Sequence, residues 1–489
     1  MVNLLPVLGL LGAIVMVFSA TMLVPLGVSA VTHDAAMSAY PPAIAITFTA
    51  GLVMWLLGRR HRRELQRRDG VLLVSFAWTG LPLFATLPLL LYFSKAGTPM
   101  SFTDAYFEAM SGLTTTGATV LGGLDALPGS INLWRCFLQW LGGMGILVLA
   151  VAILPLLGVG GSQLLRAESG GPMKDTKLTP RITETAKGLW TVYCAVSLVC
   201  VLAYWLAGMN ALDAWTHMFS TVSLGGLSSY DASFGHFASP LLEWICIPFM
   251  LLASCNFALY FVAIRKRSMQ PLWHDPELRS TLALMVGASL FVAGLLLLKG
   301  TYADPIEAVR TALFNVVSIA STTGYSTTDY TKWPVFAPVL MLLLSGMATS
   351  AGSTGAGIKM VRVIILLKHA RREMARIVHP HAVHPVQLGE KPVGPAILFA
   401  ILGFMLVYGA TVVVLTLALL LSDMNLVTAF SATLASVNNM GPGLNEVGPA
   451  GNFAGFTDYQ TWVCTIAMLL GRLEMLSFLV LLTPAFWRK

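Results

Sequence analysis

Charge is scarce in this chain. Only 11% of its 489 residues are Asp, Glu, Lys or Arg, against about 25% in an average soluble domain. Nucleic-acid binding, intrinsic disorder, collagen and a disulfide-stapled secreted scaffold are excluded, since each needs a polar, low-complexity or cysteine-dense composition. Cysteine is also sparse. Cys136, Cys194, Cys200, Cys246, Cys255 and Cys464 lie inside or at the ends of apolar runs without CxxC spacing, which argues against metal or disulfide chemistry. The N-terminal run has no basic leader and no A-x-A site, and it is too long for a signal peptide, so a retained helix is expected. What the chain does have is apolar bulk, 56% of all residues. That composition belongs in a bilayer.

A helix needs about 20 apolar residues to cross the hydrocarbon. Ten spans meet this, near residues 3 to 27, 40 to 58, 71 to 93, 133 to 157, 185 to 208, 240 to 263, 280 to 298, 335 to 367, 394 to 421 and 459 to 485. Alternate connections carry 22 of the 30 Lys and Arg residues, among them RRHRRELQRR at 59 to 68. Cytoplasmic loops carry that excess, so both termini are expected in the cytoplasm, and the net charge of +7 reflects topology.

Between the spans lie four segments that align without gaps on Gly117, Gly226, Gly324 and Gly441. They are DAYFEAMSGLTTTG (104 to 117), DAWTHMFSTVSLGG (213 to 226), TALFNVVSIASTTG (311 to 324) and TAFSATLASVNNMG (428 to 441). Each begins with Asp or Thr followed by Ala, which reads as a helix N-cap, and each ends in a Thr-, Ser-, Asn- or Gly-rich loop. One such loop alone is an ordinary turn. Four in one register, each flanked by spans and all on the extracellular side, form an internal repeat. Irregular backbone at membrane depth is tolerated only when it is buried in protein or lines a water-filled cavity, and four loops meeting on one axis satisfy that rule.

The loops offer backbone and almost no charge: Thr115, Thr116 and Gly117; Leu224, Gly225 and Gly226; Thr322, Thr323 and Gly324; Asn439, Met440 and Gly441. Rings of carbonyls replace the hydration shell of a monovalent cation. Glycine supplies the positive φ that such a loop requires, and the C-termini of the short helices favour a cation through their dipoles. The expectation is a monovalent-cation site at these twelve residues, of the kind potassium filters use, and no other metal site.

At these residues the chain closely resembles the membrane subunit of the bacterial Trk potassium-uptake system, of the TrkH/TrkG type, in the superfamily that also holds KtrB and plant HKT proteins. The resemblance covers essentially the whole chain, through TTTGAT (114 to 119), LGGLSSYDASFGHFASP (224 to 240), STTGYSTTDYTKWP (321 to 334), AGSTGAGIKMVRV (351 to 363), NNMGPGL (438 to 444) and GRLE (471 to 474). The two spans before the first repeat match an N-terminal pair that KtrB lacks. The resemblance implies an all-α polytopic membrane protein with ten transmembrane helices and four repeats of membrane helix, pore helix, filter loop and membrane helix around one pore. The corresponding division is 1–70 for the N-terminal pair, then 71–170, 171–270, 271–385 and 386–489 for the repeats. It further implies potassium uptake across the bacterial inner membrane, no enzymatic activity, no cofactor beyond the transported K+, a homodimer, and a cytoplasmic nucleotide-binding regulatory subunit of the TrkA type. Sodium-preferring relatives tend to carry Ser at the first glycine, so Gly117 argues for potassium. The second loop departs from the others, since Leu224 and Gly225 bring no hydroxyl.

The eighth span contains GMATSAGSTGAG (346 to 357). Small residues there suit close helix packing, but they also weaken the helix, and a break is expected. With the resemblance, this becomes an intramembrane gating loop that includes Gly346, Gly352, Gly355 and Gly357, with Lys359 and Arg362 near the cytoplasmic face. Arg472 lies within the last span, where charge is costly and usually functional. A salt bridge to Glu474 is one reading; the resemblance favours a pore-facing cation that sets a barrier. Of the acids near the loops, Asp104 and Asp213 read as caps, Asp231 and Asp329 as Asx braces, and Glu108 and Glu446 as candidate mouth charges. HPHAVHP (379 to 385) offers no defined ligand geometry, and GGMG (142 to 145) reads as a tight helix contact. A secondary transporter with inverted repeats and an intramembrane enzyme are the rival classes. The repeat runs in one orientation, and no nucleophile–base set lies in the spans.

Overall fold

The computed structural model describes residues 4–61, 66–152, 182–381, 384–389 and 391–488. Helices dominate it, and the strands among the described residues are one short antiparallel pair, Gln387–Leu388 with Lys391–Pro392. The chain opens with α1 (Leu5–Thr21), α2 (Leu23–Thr32) and α3 (Tyr40–Gly58). Glycines let α1 and α3 approach at backbone distance. A Cβ added to Gly12 would stand 2.5 Å from the Trp55 nitrogen, and one on Gly58 would stand 2.3 Å from the Gly9 Cα. Without a hydrophobic drive between helices in lipid, such close packing holds helix pairs together. α4 (Arg67–Lys95) follows.

Long and short helices make up the remainder: α5 (Phe102–Leu113), α6 (Gly129–Ala152), α7 (Ile182–Leu206), α8 (Ala211–Val222), α9 (Pro240–Ala253), α10 (Phe257–Lys266) and α11 (Pro276–Leu298). After these come α12 (Pro305–Ala320), α13 (Phe336–Met347), α14 (Met360–Val378), α15 (Pro395–Leu420), α16 (Leu426–Val437) and α17 (Asp458–Arg472).

Six helical stretches among the described residues are long and apolar enough to cross a bilayer: α1 with α2, α3, α4, α7, α11 and α15. Two bent pairs bring the number to eight, α9 with α10 at 90° and α17 with Leu476–Leu482 at 104°. Straight spans over 240 to 263 and 459 to 485 are therefore replaced by broken ones. In the first, Asn256 caps a new helix by accepting from the Ala258 nitrogen. In the second, Glu474 and Met475 take positive φ of 52° and 53°, which ends the helix. The expected span 335 to 367 is two helices separated by residues 348–359. The end of the expected span at 133 to 157 lies outside the described residues.

The outside of the bundle is apolar and its centre polar. Leu298, Leu421 and Phe399 are 87%, 83% and 71% exposed, whereas Thr115, Thr322 and Asn439 are 1% exposed. A water-soluble fold reverses this; a lipid-facing one requires it. The chain is a membrane protein.

The short helices α5, α8, α12 and α16 start earlier than their Asp-Ala or Thr-Ala signals indicate. Their caps are Ser101, Asn210, Asp304 and Asn425, each accepting from a backbone N–H of the first turn. Asp104 and Asp213 are instead third helical residues, whose carboxylates accept from the side chains of Ser101 at 2.7 Å and Asn210 at 2.6 Å. All four helices end at the same offset from their glycine. Leu113, Val222, Ala320 and Val437 each precede Gly117, Gly226, Gly324 and Gly441 by four residues.

Candidate functional site

The backbone following each short helix repeats one unusual pattern. φ is positive two residues before the glycine and again at the glycine: Thr115 55° and Gly117 82°, Leu224 56° and Gly226 74°, Thr322 65° and Gly324 88°, Asn439 49° and Gly441 91°. Positive φ is uncommon outside glycine and costs energy unless the surroundings hold it. Thr115, Leu224, Thr322 and Asn439 are all at most 1% exposed, and their packing supplies that hold.

The four glycines meet in a closed ring. A Cβ added to Gly117 would stand 2.0 Å from the carbonyl oxygen of Gly225, one on Gly226 1.9 Å from that of Thr323, one on Gly324 2.2 Å from that of Met440, and one on Gly441 2.7 Å from that of Thr116. Each glycine thus abuts the carbonyl that precedes the glycine of the next loop, and the fourth returns to the first. No side chain fits at any of the four without displacing backbone oxygen. A cavity of about 80 Å³ lies against them, and Arg135 and Asp231 also line it.

Side chains behind the loops hold this arrangement. Thr114 and Thr116 share a hydrogen bond of 2.7 Å, as do Ser321 and Thr323. Asn439 donates to Thr116 Oγ1 at 2.9 Å and to the Met468 carbonyl at 3.0 Å, which ties the last loop to the first. Beyond the glycines, the Leu124 nitrogen donates to Asp231, the Gly235 nitrogen to the Ser326 carbonyl, and the Phe453 nitrogen to the Thr119 carbonyl. Asp231 is therefore a brace between loops instead of a local Asx turn. Asp329 does form one, accepting from the Thr331 nitrogen at 3.2 Å.

Glu108 is not a mouth charge. It is 1% exposed and pairs with Arg135 at 2.6 Å while accepting from Thr119 and from the Val120 nitrogen. Arg135 also donates to Asn132, Thr119 and the Ser228 carbonyl. Its position inside an apolar span was the available signal for it. Glu446 is exposed on a turn of 3-10 helix over Asn445–Val447.

The break after α13 lies directly behind the ring. Gly346 is still helical, and the irregular backbone covers 348–359, with Gly352 at φ 77° and Gly357 at 86°. Thr354 Oγ1 donates to the carbonyl of Val222, and the Ala356 nitrogen reaches Thr322 Oγ1 at 3.4 Å. A Cβ on Gly355 would stand 3.1 Å from the Ser321 carbonyl oxygen. Glu277 Oε1 accepts from the Ala351 nitrogen at 2.7 Å and the Val361 nitrogen at 3.2 Å, gripping both ends of the segment. Lys359 Nζ donates to the Gly355 carbonyl.

Arg472 is 2% exposed and donates to the carbonyls of Thr354 and Gly142, each at 3.1 Å. It makes no pair with Glu474, whose carboxylate binds Arg362 at 2.7 Å. Arg362 and Lys359, expected near the cytoplasmic face, are 0% and 8% exposed, and Arg362 stacks over the Phe404 ring at 4.1 Å. GGMG is a tight contact: a Cβ on Gly142 would stand 1.9 Å from the Leu113 carbonyl oxygen. His379, His381 and His384 are exposed, and residues 382 and 383 between them lie outside the described residues.

Comparison with known proteins gives a consistent picture. The family model TrkH, described as a cation transport protein, matches residues 38–489. The chain is 45% identical to the Trk system potassium uptake protein TrkH of Vibrio parahaemolyticus over 99% of both chains. It is 42% identical to TrkH of Escherichia coli K12 over 98% of each, and 34% identical to TrkG of the same organism over 98% of this chain and 97% of that one. The crystal structure of the potassium transporter TrkH from Vibrio parahaemolyticus superposes with a TM-score of 0.91 at 41% identity, covering 99% of this chain and all of that one.

Proposed function

This chain belongs to the TrkH family of cation transport proteins, transporters and not enzymes, and from that premise we propose that it takes up potassium through a pore formed by its four loops. The observation that carries the reading is the closed ring, in which each of Gly117, Gly226, Gly324 and Gly441 abuts a carbonyl of the next loop. Such a ring leaves no room for a side chain at any of the four glycines. Carbonyls there replace the water that a potassium ion leaves behind, and Thr115, Thr116, Leu224, Gly225, Thr322, Thr323, Asn439 and Met440 complete the set. K+ is the transported ion and no further cofactor is called for.

In this reading four repeats within residues 71–489 follow an N-terminal pair of helices, with ten spans in all and both termini cytoplasmic in a bacterial inner membrane. The 348–359 segment and Arg472 obstruct the path behind the ring. A cytoplasmic regulatory subunit of the TrkA type relieves the obstruction in a homodimeric assembly. Support for partners comes from the relatives, which are named as parts of a Trk system. The membrane potential contributes about 2.3 kcal/mol per charge per 100 mV, enough to drive net uptake.

The test is Gly117→Ser assayed for potassium uptake, with sodium as competitor, in a transport-deficient strain. The reading predicts a lower preference for potassium over sodium at equal membrane expression. An unchanged preference would contradict it.

A further inference from the structure

One helix face reads the second loop. On α6, Asn132, Arg135, Cys136 and Gln139 follow the i, i+3, i+4, i+7 spacing of a single helical stripe, and all four are at most 3% exposed. They donate in turn to the carbonyls of Ser229 at 3.4 Å, Ser228 at 3.3 Å, Leu227 at 3.4 Å and Gly225 at 2.6 Å. Gln139 does more than the others. Its Oε1 also accepts from the Leu227 nitrogen at 3.1 Å, so one amide brackets Gly226 from both sides.

The second loop is also the one with no side chain at the residue before Gly226. A Cβ on Gly225 would stand 2.3 Å from Gln139 Cδ, so the Gln139 amide fills the place a side chain would take. The last repeat provides a contrast. Gly142 and Gly471 are equivalent, each placed so that a Cβ would stand 1.9 Å from the carbonyl four residues before its own loop's glycine, Leu113 or Val437. Three residues before them stand Gln139 and Met468. The loop after Gln139 in the ring has Gly225, whereas the loop after Met468 has Thr116, which brings its own hydroxyl.

We propose that Gln139 is a positioning residue for ion selectivity, a side chain lent by the first repeat's helix to hold the Gly225 carbonyl of the second loop in the ring. A carbonyl oxygen has two lone pairs, so the bond from Gln139 fixes its direction and leaves one for an ion. This rests on the reading of the four loops as the ion path.

The experiment compares Gln139→Met and Gln139→Glu with the parent protein, in full-length chains reconstituted into vesicles, by potassium uptake under sodium competition. Glutamate keeps the volume and accepts from the Leu227 nitrogen but, when ionised, donates nothing to Gly225. Loss of one buried hydrogen bond to the ring lowers the potassium-to-sodium preference about tenfold in both variants. Gly225→Ser alone abolishes selective uptake, and adding Gln139→Ala to it recovers part. A parental preference in both single variants overturns the proposal. Failure of both to accumulate in the membrane also overturns it, because the residue would then serve folding instead of selectivity. Gly117→Ser in the same assay separates the two ideas. A shift there with none at Gln139 removes this inference alone, and no shift in either removes the four-loop reading as well.

Discussion

Arg472 donates to the carbonyl of Thr354 at 3.1 Å, so the cation that ends α17 is fastened to the irregular segment behind the glycine ring. The same guanidinium reaches Gly142 of α6, and its Nε has no hydrogen-bond partner among the described residues. In the proposed reading, in which the ring is the ion path, a buried cation so placed repels an ion leaving the ring and holds the segment. Arg472→Ala therefore raises potassium flux, with each ~1.4 kcal/mol removed from the barrier giving about tenfold. Initial rates at matched surface expression measure this; equal or lower flux counts against it.

Glu277 supplies the other latch. Because a single carboxylate oxygen accepts from both Ala351 and Val361, Glu277→Ala frees both ends of the 348–359 segment and raises basal flux in protein that still reaches the membrane. Glu277→Gln, which retains a carbonyl acceptor, falls between the two. Flux in Glu277→Ala equal to that of the parent would show that the segment is held elsewhere.

The Glu108–Arg135 pair is wholly buried. Removing one partner of a buried pair leaves the other uncompensated, at a cost of about 3–5 kcal/mol. Arg135→Met should lower the unfolding temperature of the purified protein by many degrees. Arg376→Met, which breaks an exposed contact with Glu373, should leave it where it was. Similar shifts in both would show that burial is not what matters at Arg135.

Two glycines on membrane helices give a matched contrast. A Cβ on Gly471 would stand 1.9 Å from the Val437 carbonyl oxygen, while one on Gly403 in α15 would meet nothing within 4 Å. Gly471→Ala should destabilise by about 1–3 kcal/mol through overpacking and reduce uptake sharply. Gly403→Ala should be neutral. Thermal unfolding and uptake measured on the two variants side by side decide it.

What the sequence made legible, and what it hid, follows from which interactions are local. The glycine register was readable because Gly117, Gly226, Gly324 and Gly441 combine a positive φ with a neighbouring carbonyl that leaves no room for a Cβ, and only glycine meets both demands. The partners Thr115, Leu224, Thr322 and Asn439 adopt positive φ without being glycine, a conformation that packing imposes and that residue type does not announce. Helix starts were misplaced by three residues at Asp104 and Asp213 because Asp-Ala marks the first turn. The S-x-x-D and N-x-x-D spacings from Ser101 and Asn210 were the better signal. The stripe of Asn132, Arg135, Cys136 and Gln139 could not be interpreted, since its acceptors lie about ninety residues away. The bend at Glu474 and Met475 was hidden for the same reason as the positive φ of the loops. The pairing of Glu474 with Arg362 instead of Arg472 depends on a contact 112 residues apart.

The central claim is that the four loops together bind a dehydrated alkali cation. Rubidium, an anomalous scatterer that substitutes for potassium, tests it in crystals of the protein. The account predicts an anomalous peak on the axis between the loops, coordinated by main-chain oxygens of residues 115–117, 224–226, 322–324 and 439–441. Rubidium bound elsewhere, with none between those loops, would contradict it.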